Sequence, residues 1–137
     1  MPPASGVLMI LLGGNNFIMC ELQKLLVQEF FPSGAIKSEH YEVDGQIEGL
    51  LRWWYESGKL LAECEYVAGY PHGRSQVWLE SGQCRSLQFL KNGIDHGEYT
   101  SWWDNGNIKE HGLILEGVCQ PGYKWYYEDG RLWSELK

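Results

Sequence analysis

Glycine returns every 24 residues along most of this chain. Gly34, Gly58, Gly82, Gly106 and Gly130 keep that step without a break, and Gly45, Gly69, Gly93 and Gly117 keep it at an offset of 11. Gly49, Gly73 and Gly97 form a third series, with Pro121 in the next slot. A fixed period of this length marks a tandem array of one small supersecondary unit. The units are 26–49, 50–73, 74–97, 98–121 and a partial 122–137; residues 1–25 stand outside the period.

Each unit carries a ring at one position: Phe30, Trp54, Trp78, Trp102 and Tyr126. A second apolar residue follows it: Phe31, Tyr55, Leu79, Trp103 and Tyr127. An acidic-polar-Gly turn comes next, as in Glu56-Ser57-Gly58 and Asp104-Asn105-Gly106, with Pro32-Ser33-Gly34 as the first copy. Glycine lacks a Cβ and reaches the positive φ that a three-residue hairpin loop with a bulge requires. The pattern predicts a first strand centred on the ring. A second strand of about six residues opens at Ile36, Leu60, Cys84, Ile108 and Leu132. A second turn follows around the glycine pair, as in Gly69-Tyr70-Pro71-His72-Gly73.

A helical repeat is excluded, because glycine interrupts nearly every window long enough for a helix and the rings favour strands. One hairpin is marginal in water, so successive hairpins must pair edge to edge. The expected fold is all-β: an elongated single antiparallel sheet of about five hairpin repeats, with residues 1–25 as a short apolar N-terminal cap or dimerisation segment. Within that segment Val7–Leu12 and Phe17–Cys20 are apolar and flank Gly13-Gly14-Asn15-Asn16. The run is too short to span a membrane as a helix.

Neighbouring residues of a strand point to opposite faces. Rings therefore occupy both sides of the expected sheet. The more uniform set, Phe30, Trp54, Trp78, Trp102 and Tyr126, is assigned to the packed repeat core. Trp53, Tyr55, Trp103, Trp125 and Tyr127 are assigned to a protein-binding surface. Large uncovered apolar patches mark interfaces. The cover is expected to be residues 7–25, a second copy of the chain or a foreign protein, with a homodimer as the leading expectation.

The residues next resemble a known family. Lys91-Asn92-Gly93-Ile94-Asp95-His96-Gly97, Trp102-Trp103-Asp104-Asn105-Gly106 and Trp125-Tyr126-Tyr127-Glu128-Asp129-Gly130-Arg131-Leu132 are similar to MORN repeats, most closely to their second subtype. The resemblance covers 26–137. Unit one departs from it at Glu48, where the His is missing, and unit four departs at Gln120-Pro121. The resemblance implies a non-enzymatic, often self-associating scaffold or adaptor. Similar repeats occur in antitoxin-like bacterial proteins and in large DNA viruses of amoebae, and some are linked to membrane lipids. An antitoxin-like binder and a lipid-associated protein are thus the alternative roles.

Charge and motifs narrow the chemistry. A net charge of −7 with no basic run disfavours nucleic acid and anionic membranes. No G-x-x-x-x-G-K-[ST] loop and no G-x-S-x-G elbow occurs. His72 and His96 share a repeat position but no repeated acid partner, so they are expected to satisfy turn backbone groups. Ser33, Ser57 and Ser81 precede turn glycines and are expected to serve turn chemistry. Glu56, Glu80, Asp104 and Glu128 are expected to form a solvated acidic rim. Cys20, Cys64, Cys84 and Cys119 lack the spacing of a zinc site. No cationic segment precedes the apolar run. Reduced thiols, an intracellular location, no enzyme activity, no metal and no cofactor are the resulting expectations.

Overall fold

A computed structural model describes the backbone of residues 6–12 and 16–137 and the side chains from residue 23 onward. In chain order, β1 (Gly6–Leu12) and β2 (Asn16–Leu22) pair with each other. Unit one contributes β3 (Lys24–Phe30), β4 (Ile36–Val43) and β5 (Gln46–Ile47); unit two contributes β6 (Gly49–Trp54) and β7 (Leu60–Val67). β8 (Tyr70–Trp78) runs from the end of unit two into unit three, which continues with β9 (Cys84–Lys91) and β10 (Ile94–Asp95); unit four contributes β11 (Gly97–Trp102), β12 (Ile108–Leu115) and β13 (Val118–Cys119). Unit five ends with β14 (Lys124–Tyr126) and β15 (Leu132–Glu135).

From β3 to β15 the strands form one open antiparallel sheet of 13 strands, laid down in sequence order. The hairpins therefore zip laterally, as the period required. The seams are formed by Ser38 opposite Trp53, Ala62 opposite Val77, Ser86 opposite Ser101 and Glu110 opposite Trp125. These four pairs hold equivalent repeat positions, so every seam has the same register.

Several local expectations need correction. The ring ends the first strand instead of centring it. A register shift directly precedes it in every unit, between Glu29 and Phe30, Trp53 and Trp54, Val77 and Trp78, Ser101 and Trp102, and Trp125 and Tyr126. The extra residue lies on the second strand: Lys37, Leu61, Arg85, Lys109 or Trp133. Second strands β4, β7, β9 and β12 run eight residues each, because each continues into the second turn.

That second turn sits at the leading glycine, not midway between the pair. Its central residues all have positive φ: Asp44 and Gly45 (51° and 78°), Ala68 and Gly69 (48° and 82°), Asn92 and Gly93 (50° and 81°), Glu116 and Gly117 (49° and 77°). Two such residues in succession make the tight turn whose twist suits a hairpin. In unit four the fixed φ of Pro121 moves the later positive φ to Gly122.

The first turn is a three-residue loop in all five units. Residues 31, 55, 79, 103 and 127 each donate their N–H four residues on and accept the N–H of the turn glycine, for example Tyr55 N to Lys59 O at 2.9 Å and Gly58 N to Tyr55 O at 2.9 Å. Ser33 and Ser81 hydroxyls and the Asn105 and Asp129 side chains each accept from the N–H two residues further on. This is the turn chemistry expected of those serines.

The sheet is a single layer, so burial is thin. Among the described residues no side chain is fully buried; Leu51, Cys64, Ile114 and Tyr123 are the buried apolar ones. Leu51 lies directly opposite Cys64. None of the five ring positions is buried, and Phe30 is 57% exposed. The expectation that 1–25 caps the array or mediates dimerisation depends on side chains outside the described residues, as does any statement about Cys20.

Candidate binding groove

Cross-strand partners share a face, so the registers sort the side chains. One face carries a polar central row. Gln28 donates to Glu39 at 2.7 Å, Arg52 to Glu63 at 3.0 Å, and Thr100 lies 2.7 Å from His111 Nδ1. The other face carries Trp53, Val77, Ser101, Glu110 and Trp125 in one row, with Leu51, Cys64, Tyr99 and Tyr123 in the next.

On this second face, units three to five enclose a groove of about 460 Å³. Its walls include Tyr99, Trp102 and Trp103, with Ser86 and Ser101 between them. Arg85 and Lys109, the extra residues of two bulges, rise at one side; Asp104 and Glu128 stand at the turn end.

The floor is built around Glu110. Ser101 Oγ donates to Oε1 at 3.2 Å and Tyr123 Oη donates to Oε2 at 3.2 Å. Tyr123 is only 2% exposed, and its ring fits because Gly112 lies beneath it. A Cβ on Gly112 would stand 2.5 Å from Tyr123 Cδ2 and 2.7 Å from its Cα. Burial pushes the Tyr123 phenol well above its ordinary value, and the charge and hydrogen bonding of Glu110 add to the shift. Tyr99 moves the same way, through burial first and the Glu110 charge second. The floor is thus electronegative. Among the described residues no Lys or Arg nitrogen lies within ion-pair distance of Asp104, Glu110 or Glu128.

The residues assigned from the sequence to a binding surface occupy three environments. Trp53 and Trp125 lie in the same row of the groove face, and the Trp125 ring sits 4.8 Å from that of Tyr123. Tyr55 and Trp103 lie in first turns and anchor the next unit. Tyr55 Oη donates to Trp78 O at 2.9 Å, and Trp103 Nε1 donates to Tyr126 O at 3.2 Å. Leu79, the equivalent in unit three, cannot donate, and Gln83 Nε2 reaches Trp103 O instead, at 3.0 Å. Tyr127 is exposed, with the Arg131 guanidinium 5.5 Å from its ring centre. Trp103 also walls the groove, on the face that carries Trp53 and Trp125.

His72 and His96 do satisfy turn backbone, but in the following unit. Asn92 N donates to His72 Nδ1 at 3.3 Å, and Glu116 N donates to His96 Nδ1 at 3.2 Å. Glu48 holds the same post in unit one, accepting from Ala68 N at 2.8 Å. The adjacent turn glycines donate backward as well: Gly69 to Ile47 O, Gly93 to Pro71 O and Gly117 to Asp95 O, at 2.7–3.0 Å. Each second turn is docked on its predecessor by this pair of bonds.

Sequence reasoning did not single out Arg85, Tyr99, Lys109 or Glu110. The available signal was Gly112, an off-period glycine inside a strand. Cys64, Cys84 and Cys119 are free thiols, and burial raises the pKa of Cys64. Among the described residues no group of three or more His, Cys, Asp or Glu is arranged to hold a metal ion, and no helix is long and apolar enough to cross a membrane.

Three segments, 47–68, 95–113 and 123–137, match the profile of a family described as a MORN repeat variant. The unmatched stretch between the first two folds into the same strands in the same register. No curated protein sequence matches the chain.

Proposed function

Because the chain carries MORN repeats of the variant type, which are generally associated with protein or membrane binding and are typically non-enzymatic, we propose that it is an interaction scaffold that binds another protein and self-associates. The observation that carries the reading is the thin burial. Large apolar side chains remain open on the sheet, with Tyr70 at 60%, Val118 at 62% and Trp133 at 64% exposure. A monomer gains nothing by leaving such groups in water, whereas an interface recovers the free energy of burying them.

The net charge of −7 supports a protein partner over an anionic membrane or nucleic acid. An antitoxin-like role is a specialised form of the same reading. Self-association is tested by light scattering during size exclusion at micromolar concentration. A mass of about twice 15.8 kDa is expected for the dimer. A single species at the monomer mass would remove self-association from the account.

A further inference from the structure

We infer that the groove between units three and five is a site for a cationic side chain, a lysine or arginine presented by a basic segment of a partner polypeptide. The inference rests on the proposed binding role and names the chemistry of the partner.

Three features of the groove converge on a cation. Its floor holds the Glu110 carboxylate, whose two oxygens are fixed by hydroxyl donors and not by a cation. A partly buried carboxylate without a counterion is costly, and an incoming ammonium or guanidinium relieves that cost. Asp104 and Glu128, both exposed, extend the same sign to the mouth.

The aromatic wall supplies the second feature. Lys109 Nζ already sits over the Trp103 ring, 4.7 Å from its centre. The ring face therefore accepts an ammonium in this setting, through the attraction of its negative quadrupole for a cation. Lys109 is exposed and tethered by a flexible stem, so a better-placed cation can displace it. Trp103 is itself held by its indole bond to Tyr126 O, which fixes the ring that the cation meets.

The third feature is the poor fit of the opposite charge. Arg85 and Lys109 line the groove, yet the Ser101 hydroxyl, the donor an anion would need, is donated to Glu110. An anion at the floor would face Glu110 directly. A second copy of this chain is not the ligand of this groove, since its sequence has no basic run to present.

The test uses the full chain with ¹⁵N-labelled tryptophan and two capped hexapeptides, one alternating Arg and Ser, the other Glu and Ser. The Arg-Ser peptide should shift the Trp103 indole N–H resonance saturably, and the Glu-Ser peptide should not. Lys109→Ala vacates the ring and should tighten binding about fivefold. Lys37→Ala removes the same charge at the distant equivalent position and should stay within twofold. Glu110→Gln should weaken binding about tenfold, and Asp104→Asn, at an exposed turn position, about threefold.

Equal shifts by both peptides, or shifts by the Glu-Ser peptide alone, would overturn the assignment of sign while leaving protein binding intact. No saturable shift at millimolar Arg-Ser peptide would overturn the site. Identical behaviour of Lys109→Ala and Lys37→Ala, or acid variants that bind like the parent, would reduce the effect to net charge and overturn it too. The mass measurement above reports on self-association independently of any of these results.

Discussion

Gly112→Ala adds one methyl group and tests how the last seam is held. Gly112 lies opposite Tyr99 on β11 and beneath Tyr123 of the next unit. The new Cβ would stand 2.5 Å from Tyr123 Cδ2, 2.7 Å from Cγ and 2.7 Å from the Tyr123 Cα. The backbone contact cannot be relieved by a rotamer change, so β12 and β14 must part or Tyr123 must leave its site. Overpacking alone costs about 1–3 kcal/mol. Displacing the ring also removes its burial and its bond to Glu110, and full loss of a buried aromatic costs about 3–5 kcal/mol. A loss of about 3 kcal/mol is expected, between the two limits.

The comparator is Gly45→Ala, where nothing lies within 4 Å of the new Cβ and only the positive φ of 78° opposes it. Its cost should be about 1 kcal/mol. In a Tyr123→Ala background the ring clash is gone and the Cα clash remains, so Gly112→Ala should cost about half as much as in the parent. Urea unfolding followed by tryptophan fluorescence measures the parent and all four variants. The reasoning fails if Gly112→Ala destabilises no more than Gly45→Ala, or if the Tyr123→Ala background leaves its cost unchanged.

Further outcomes follow from the same contacts. His72→Ala and His96→Ala each remove the acceptor for a turn N–H and should cost about 1 kcal/mol in denaturant unfolding, whereas His72→Glu should be tolerated because Glu48 fills that post in unit one. Ala68 holds a φ of 48° that a side chain resists, so Ala68→Asn should stabilise by about 0.5–1 kcal/mol in the same assay. Above about pH 10 unfolded tyrosines lose their protons while native Tyr123 keeps its own. The native state then binds more protons than the unfolded one, so stability is full at neutral pH and falls as pH rises past that point. Tyr123→Phe should make that alkaline decline shallower in thermal melts recorded between pH 9 and pH 11.

The strand and turn positions and the edge-to-edge pairing of hairpins were legible in the sequence; the bulge and the side-chain contacts that dock one unit on the next were not. The openings of the second strands at Ile36, Leu60, Cys84, Ile108 and Leu132 could be read because the glycine period fixes them. The bulge could not, since its extra residue is Lys, Leu, Arg, Lys or Trp in different units and carries no common chemistry. His72 was read as a partner for turn backbone, yet its donor is 20 residues downstream, and only lateral stacking brings that turn within reach.

The ring positions assigned to the core are exposed at Phe30 and half-buried in the other four units, for a similar reason. A ring at the end of a strand, beside a turn, stays partly open however regular its spacing. Among the described residues burial falls instead on Leu51 and Tyr123, at one row position whose occupants are Val27, Leu51, Ser75, Tyr99 and Tyr123 and differ in size from unit to unit. The neighbouring strand compensates there: Gly112 takes the slot that holds Cys64 in unit two, because bulky tyrosines flank it on both sides. The groove was hidden by the same logic, since Glu110 stands where other units have Ser38, Ala62, Ser86 and Ser134.

Cross-strand proton–proton Overhauser contacts across the seams provide the most direct check on the architecture. Resonances of Ser38 and Trp53, Ser86 and Ser101, and Glu110 and Trp125 should show mutual contacts in the labelled 137-residue chain, at the registers of a continuous sheet. Contacts confined to each hairpin, with none between units, would mean that the hairpins do not stack side by side.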